Sequence, residues 1–279
     1  MALPVQILFL VFFLVPFGYA IYYSLTSPLT GGFVGLRNYK FTVESATFWQ
    51  SILRLAYFGA VQVTVMVILA LALAFLIDSP VCAGKRVFRL VYFLPYAVPG
   101  VLAALMWGFL FTPALDSFLK LPADLGIGHG AANPLASGSV LYAIMFIVTW
   151  EWTGYNMTLY LTSLASISDT VLDAAVIDGC GQFRLVRYMK LPLIRRMLMF
   201  TLVLSIIGTL QLFTEPQVLS TLTALPASYT PNMDIYSEAF SVGNVPGAAS
   251  MSLILGAITV GASLLFLYVW RQLGQRRGR

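Results

Sequence analysis

Six stretches of this chain are each apolar for about the thickness of a bilayer, and no other feature restricts its fold as strongly. The runs are 5–25, 55–77, 90–111, 140–164, 197–213 and 250–270. About 30 Å of hydrocarbon, crossed at ~1.5 Å per residue, takes about 20 residues. Lipid offers no partner to backbone amides, so a run of that length satisfies them internally as a helix. The sequence therefore predicts an all-α, polytopic integral membrane protein: six transmembrane helices in one domain spanning 1–279. Pro16 predicts a kink in the first run, and Pro95 and Pro99 interrupt the third. The second run stops at Asp78-Ser79-Pro80. The first has no basic start and outlasts the apolar core of a signal peptide, so it reads as a retained helix.

Composition agrees. Hydrophobic residues make up 59% of the 279 and charged residues 10%, whereas soluble domains carry about 25% charge. The net charge of +5 reads as membrane orientation, with no nucleic acid as partner, because of where the basic residues fall. One set of loops holds Lys85, Arg86 and Arg89, then Arg184, Arg187, Lys190, Arg195 and Arg196, then Arg271, Arg276, Arg277 and Arg279. The opposite set holds only Arg37, Lys40, Arg54 and Lys120. The positive-inside rule puts the richer set, and with it both termini, in the cytoplasm. Segments 26–54, 112–139 and 214–249 then face outward, with Tyr22, Tyr23, Trp49 and Tyr57 as an interfacial belt. Cys82 and Cys180 fall on the reducing side, so no disulfide is expected. With His129 the only histidine and no ligand spacing around the cysteines, no metal site is expected.

The most informative cytoplasmic stretch is the coupling loop 169–192. It contains Asp173-Ala174-Ala175, then Asp178-Gly179, Gly181, and Leu191-Pro192. Thr170 and Asp173 fit a capping box at a helix start. Gly179 and Gly181 suit positive φ at its end. Pro192 suits the first turn of a second helix. Ala174, Ala175 and Gly179 form a flank that another backbone can approach.

This pattern resembles the "EAA" loop of ABC importer permeases, written E-A-A-x-x-x-G-x(9)-I-x-L-P. Asp173 stands where Glu is usual and Met189 where Ile is usual; the spacing is intact. Phe33 through Tyr39 resembles a segment after the first helix of maltose- and glycerol-3-phosphate-type permeases. Arg89 through Pro95 resembles their entry to the third helix, and Tyr236 through Phe240 with Gly247 through Ser252 their approach to the last. Thr223-Ala224-Leu225-Pro226 departs from the family's Thr-x-Gly-Gly-Pro. The resemblance implies a type I ABC importer fold in a bacterial inner membrane, with a cytoplasmic coupling helix between helices four and five. It implies that Asp173, Ala174, Ala175, Asp178, Gly179, Leu191 and Pro192 serve ATPase coupling. The implied partners are a second homologous permease subunit forming a heterodimer, two ABC ATPase subunits and an extracytoplasmic solute-binding protein. The chain lacks a phosphate-binding loop, since Gly84-Lys85-Arg86 has neither the first glycine nor the Ser or Thr. It therefore reads as a transport subunit rather than an enzyme, with no cofactor of its own and with ATP and Mg on the partner ATPase.

Polar residues at membrane depth are functional-site candidates. Trp150, Glu151, Tyr155 and Asn156 in the fourth run, with Gln211 and Glu215 near the end of the fifth, are assigned to the substrate path. Aromatic faces beside hydrogen-bonding groups suit a sugar or related polyol. Packing by Trp150 and Trp152, with Glu151 paired to a neighbouring subunit, is the alternative. Gln62 is read as a helix–helix hydrogen bond. A permease for a polyamine, phosphate or amino acid is the runner-up. An ion-coupled transporter needs several intramembrane acids and an inverted repeat, and a membrane enzyme needs paired acids, histidines or a cofactor motif; neither pattern is visible.

Overall fold

The computed structural model describes residues 3–112 and 133–276; Lys120, His129, Arg277 and Arg279 lie outside them. Among the described residues regular structure is helical, apart from an isolated bridge between Thr26 and Phe33. Among the described residues four helices are long and apolar enough to cross a membrane: α1 (Pro4–Ser24), α3 (Ala46–Asp78), the segment Arg195–Leu219, and the last helix, α11, in its part Val245–Trp270. Two bent pairs raise the number to six if each is one span: α4 (Lys85–Ala97) with α5 (Gly100–Leu110), bent by 95°, and α6 (Val140–Ala165) with α7 (Asp169–Ile177), bent by 76°. The short α2 (Arg37–Glu44) precedes α3. The segment Arg195–Leu219 comprises α8 (Arg195–Leu210) and α9 (Thr214–Leu219). The short α10 (Pro231–Tyr236) leads to α11 (Val245–Arg276).

Helix bounds differ from the hydropathy runs where polar residues sit inside helices. α3 starts at Ala46 rather than 55, because Ser51 and Arg54 dilute its hydropathy without breaking it. α11 extends to Arg276 for the same reason. Prolines account for the irregular turns. Val98 and Pro99 are both extended, with ψ of 126° and 133°. A proline pushes its predecessor out of the helical region, so the third run is two helices with a break between them. Pro16 follows a π-turn at Leu10–Leu14, and Pro192 one at Leu185–Lys190. In each case the proline has no N–H for the carbonyl four residues back.

The chain divides into two compact units. The first is Met1–Tyr57, Leu210–Phe213 and Leu225–Arg279. Here α1 packs on α11 while most of its side chains remain exposed, as Tyr22, Tyr23, Trp49 and Tyr57 also do. The Phe33–Tyr39 segment fastens the end of α1. Gly35 turns the chain at φ +59°. The buried Asn38 amide donates to the Ser24 and Thr26 carbonyls at 2.8 Å, and the Tyr39 hydroxyl meets Ser24 Oγ at 2.7 Å. Thr42 Oγ1 pairs with Ser250 Oγ at 2.9 Å, joining α2 to α11. Phe48 and Ile52 of α3 form the core with Met251 and Leu255 of α11. Arg54 donates to the Tyr229 carbonyl at 2.8 Å and lies over its ring at 4.6 Å.

The second unit is Phe58–Thr209 and Thr214–Ala224. Its core joins Ala70, Ala74 and Ile77 of α3 to Met157, Tyr160, Leu161 and Leu164 of α6, with Ile194. Tyr160 pairs with Thr201 Oγ1 of α8 at 2.7 Å. α6 lies against α4 so closely that a Cβ on Gly154 would run into the Tyr92 carbonyl. Gln62 donates to Thr149 Oγ1 at 3.4 Å, an interhelical bond as read from sequence.

Candidate coupling segment and membrane-depth polar cluster

The coupling segment begins after the 76° bend that follows α6. Ser168, extended at ψ 132°, occupies the cap of α7 without a side-chain bond to the helix backbone; its hydroxyl meets the Thr170 hydroxyl of the first turn at 2.6 Å. The capping box expected at Thr170 and Asp173 is therefore replaced by a cap two residues earlier. Gly179 ends the helix at φ +79°, as its spacing required. Gly181 does not share that role: its φ is −66°. A helical stretch, 182–193, follows, with Pro192 in the first turn of its last part.

Asp173, Ala174, Asp178, Gly179 and Pro192 are exposed, and Ala175 and Leu191 half-buried. Apolar side chains beside them are uncovered too: Ile177 is 85% and Phe183 78% exposed. Leaving such surface in water is unfavourable by about 25 cal/mol per Å², so the front of the segment has the composition of a contact face. Its rear is anchored: Leu185, Lys190 and Ile194 are buried. Cys82 and Cys180 are free thiols.

Near the middle of α6, Glu151 is 4% exposed and its Oε2 has no hydrogen-bond partner. Glu215, from α9, brings a second carboxyl to the same place. Both carboxyls face Gly100 at the start of α5: a Cβ there would lie 3.1 Å from Glu215 Oε1 and 3.5 Å from Glu151 Oε1. The break at Pro99 makes this arrangement, since it opens a helix N-terminus inside the unit and carboxylates favour that end of a helix. Tyr155 stacks on Tyr96 at 4.6 Å, and Trp152 meets Tyr96 edge-on at 5.3 Å. Trp150 instead packs on Trp107 at 5.6 Å. Asn156 is buried and its amide is engaged in packing, donating to the Trp152 carbonyl at 2.9 Å and to Met66 Sδ of α3 at 3.7 Å. Gln211 is exposed and belongs to the first unit. Of the six path candidates the structure thus brings Glu151 and Glu215 together, with Tyr155 in a separate aromatic group. Sequence reasoning missed Tyr96 and Gly100; the prolines flanking them were the available signal.

The profile of the family described as "Binding-protein-dependent transport system inner membrane component" matches residues 79–279. The chain belongs to this family. It is accordingly a multi-pass inner-membrane transport component of the ABC importer permease type. Among curated proteins it is similar to the sn-glycerol-3-phosphate transport system permease protein UgpA of Yersinia enterocolitica, at 30% identity over 98% of this chain and 93% of that one. It is also similar to the lactose transport system permease protein LacF of Rhizobium radiobacter, at 29% identity over 87% and 80%. Among solved structures it shares its fold with a bacterial ABC transporter involved in the import of the acidic polysaccharide alginate. There the TM-score is 0.83 at 17% identity, over 98% of this chain and 94% of that one. The fold match extends to a bacterial alginate ABC transporter in complex with a pentasaccharide-bound periplasmic protein, with a TM-score of 0.79 at 18% identity.

Proposed function

We propose that this permease forms half of the translocation path of an ATP-driven importer for a sugar or related polyol or glycerol phosphate. The other half is a second, homologous permease. Two ATPase subunits, which hold the ATP and Mg, supply the energy, and an extracytoplasmic binding protein delivers the solute. Both termini are cytoplasmic. α7 docks on the ATPase through Asp173, Ala174, Ala175, Asp178 and Gly179, while Leu191 and Pro192 shape the return to the membrane. Closure of the ATPase pair pushes α7 and re-aims the helices joined to it. The uncovered front of the coupling segment, with Ile177 and Phe183 exposed beside the small-residue flank, is the observation that carries this reading. The relatives' solutes, sn-glycerol 3-phosphate and lactose, support the solute class. Glu151, Glu215 and Tyr155 are the chain's contributions to the path, since a buried carboxyl without a full set of partners is retained at a cost.

The test is co-purification of the chain with an ABC ATPase and a second permease from the same organism, followed by ATPase measurement in proteoliposomes. The expected result is a stable assembly whose ATPase rises when binding protein and solute are added, with Gly179→Pro abolishing the rise. An assembly that forms equally well with Gly179→Pro and keeps its stimulation would overturn the docking assignment.

A further inference from the structure

Asp78 stands at the C-terminal end of α3, where a negative charge opposes the helix dipole. Its partner explains the position. Lys190, on the rear arm of the coupling segment, is only 9% exposed, and its Nζ lies 2.5 Å from Asp78 Oδ2. A second lysine, Lys85 at the start of α4, donates to the Asp78 backbone carbonyl at 3.2 Å. The pair adjoins an apolar cluster of the second unit that contains Ile77 and Ile194, near neighbours of the two charges in sequence. Removing one member of a largely buried ion pair leaves the other charge uncompensated, so the two residues hold each other in place.

The connectivity gives this contact a mechanical meaning. The coupling segment is joined covalently to α6 before it and α8 after it. α3 has no such joint: the chain between Asp78 and Asp169 runs through α4, α5 and α6. The front of the segment, 169–183, is exposed, whereas its rear is pinned at Leu185, Lys190 and Ile194. Two of these pins, Leu185 and Lys190, are the first and last residues of a π-turn, a geometry that often marks functional sites. We infer that the Asp78–Lys190 ion pair is the joint through which displacement of the coupling segment reaches α3, which makes Lys190 and Asp78 positioning residues for energy coupling. The inference rests on the docking reading given above and adds to it a route into the bundle.

Nucleotide-dependent hydrogen–deuterium exchange of the assembled complex tests this without knowledge of the solute. The complex, purified with its own ATPase subunits and second permease, is compared with and without MgATP plus vanadate. In the wild type, exchange is expected to change both in 169–183 and at the α3 end, 74–84. In Lys190→Met the change in 169–183 persists while that at 74–84 falls at least threefold, and the reversed pair Asp78→Lys with Lys190→Asp restores it. If Lys190→Met lowers the thermal midpoint but leaves the α3 response intact, the pair is only structural and the inference is overturned. It is overturned equally if the reversed pair assembles normally without restoring the response. A wild-type complex in which 169–183 does not respond to nucleotide overturns the docking reading itself, an outcome distinct from the other two.

Discussion

Residues 169–183 carry small and apolar side chains into the open, with Ile177 85% exposed, whereas Glu151, in the middle of α6, is 4% exposed and lacks a partner for one oxygen. Both regions break an ordinary rule of burial, in opposite directions. An apolar exposed face is unfavourable until another protein covers it. A buried acid is unfavourable unless something specific answers its charge. The first kind of departure points to a protein partner and the second to a positioned internal site. Substitutions should therefore separate the two: changes in the coupling segment act on assembly and energy transfer, and changes around Glu151 act on what passes through.

The largest effect is expected from neither region but from the packing that supports both. Gly154→Ala places a methyl group against the Tyr92 carbonyl, and backbone cannot yield as a side chain can. Overpacking of this sort destabilises by about 1–3 kcal/mol or more. The variant should show a sharp drop in monodisperse protein after detergent extraction. Recovery equal to wild type would mean that α4 and α6 can separate freely.

Next in size is Gly179→Pro. Proline fixes φ near −65°, against the observed +79°, so the end of α7 must re-form. Uptake should fall at least about tenfold, or about 1.4 kcal/mol in coupling, with insertion and yield preserved. Ala175→Trp should do the same by bulk alone. Normal uptake in both would remove the coupling segment from one side of the comparison.

Glu151→Gln keeps the shape and removes the ionisable carboxyl. A neutral amide is easier to bury than a carboxylate, so the thermal midpoint should hold or rise. Uptake of the solute that the wild-type assembly transports should fall several-fold. A rise in stability with uptake unchanged would make the Glu151–Glu215 pair a structural feature only.

The smallest effect is expected at Asp234, in the first unit and outside the spans. Burial, together with the nearby Glu238 carboxylate, raises its pKa above the ordinary 3.8. The folded state thus prefers the protonated form. This group's favourable contribution is complete below the ordinary value and is lost as pH rises through the higher folded one. Asp234→Asn, neutral at every pH, should therefore melt about 1–2 °C above wild type at neutral pH. The gap should close by about pH 3. A gap of equal size at both pH values would assign the effect to something other than charge.

Much of the coupling segment was legible because its information is local. The helix end at Gly179 follows from residues within one turn of it, and the spacing of the small residues is written in consecutive positions. The cap was misplaced because Ser168 and Thr170 have similar chemistry, and only backbone geometry separates them. The polar cluster was less legible. Glu151 and Glu215 were both visible as acids in apolar surroundings, but their meeting at Gly100 depends on a 95° bend whose direction no periodicity encodes. Asn156 looked equally eligible and proved to be engaged with its own helix and with Met66 of α3. Asp78 and Lys190 were read only as a helix end and an orienting charge.

What the sequence determined alone was the solvent and the element type: apolar runs of membrane length leave backbone groups no partners but their own, so helices follow from composition and length. Prolines fixed where those helices would break, since a missing N–H is a property of the residue. Which polar groups meet was decided only by the tertiary structure. Asp78 reaches Lys190 across 112 positions, and such a contact depends on how helices pack, which is set by side-chain shape summed over whole faces rather than by any short run of residues.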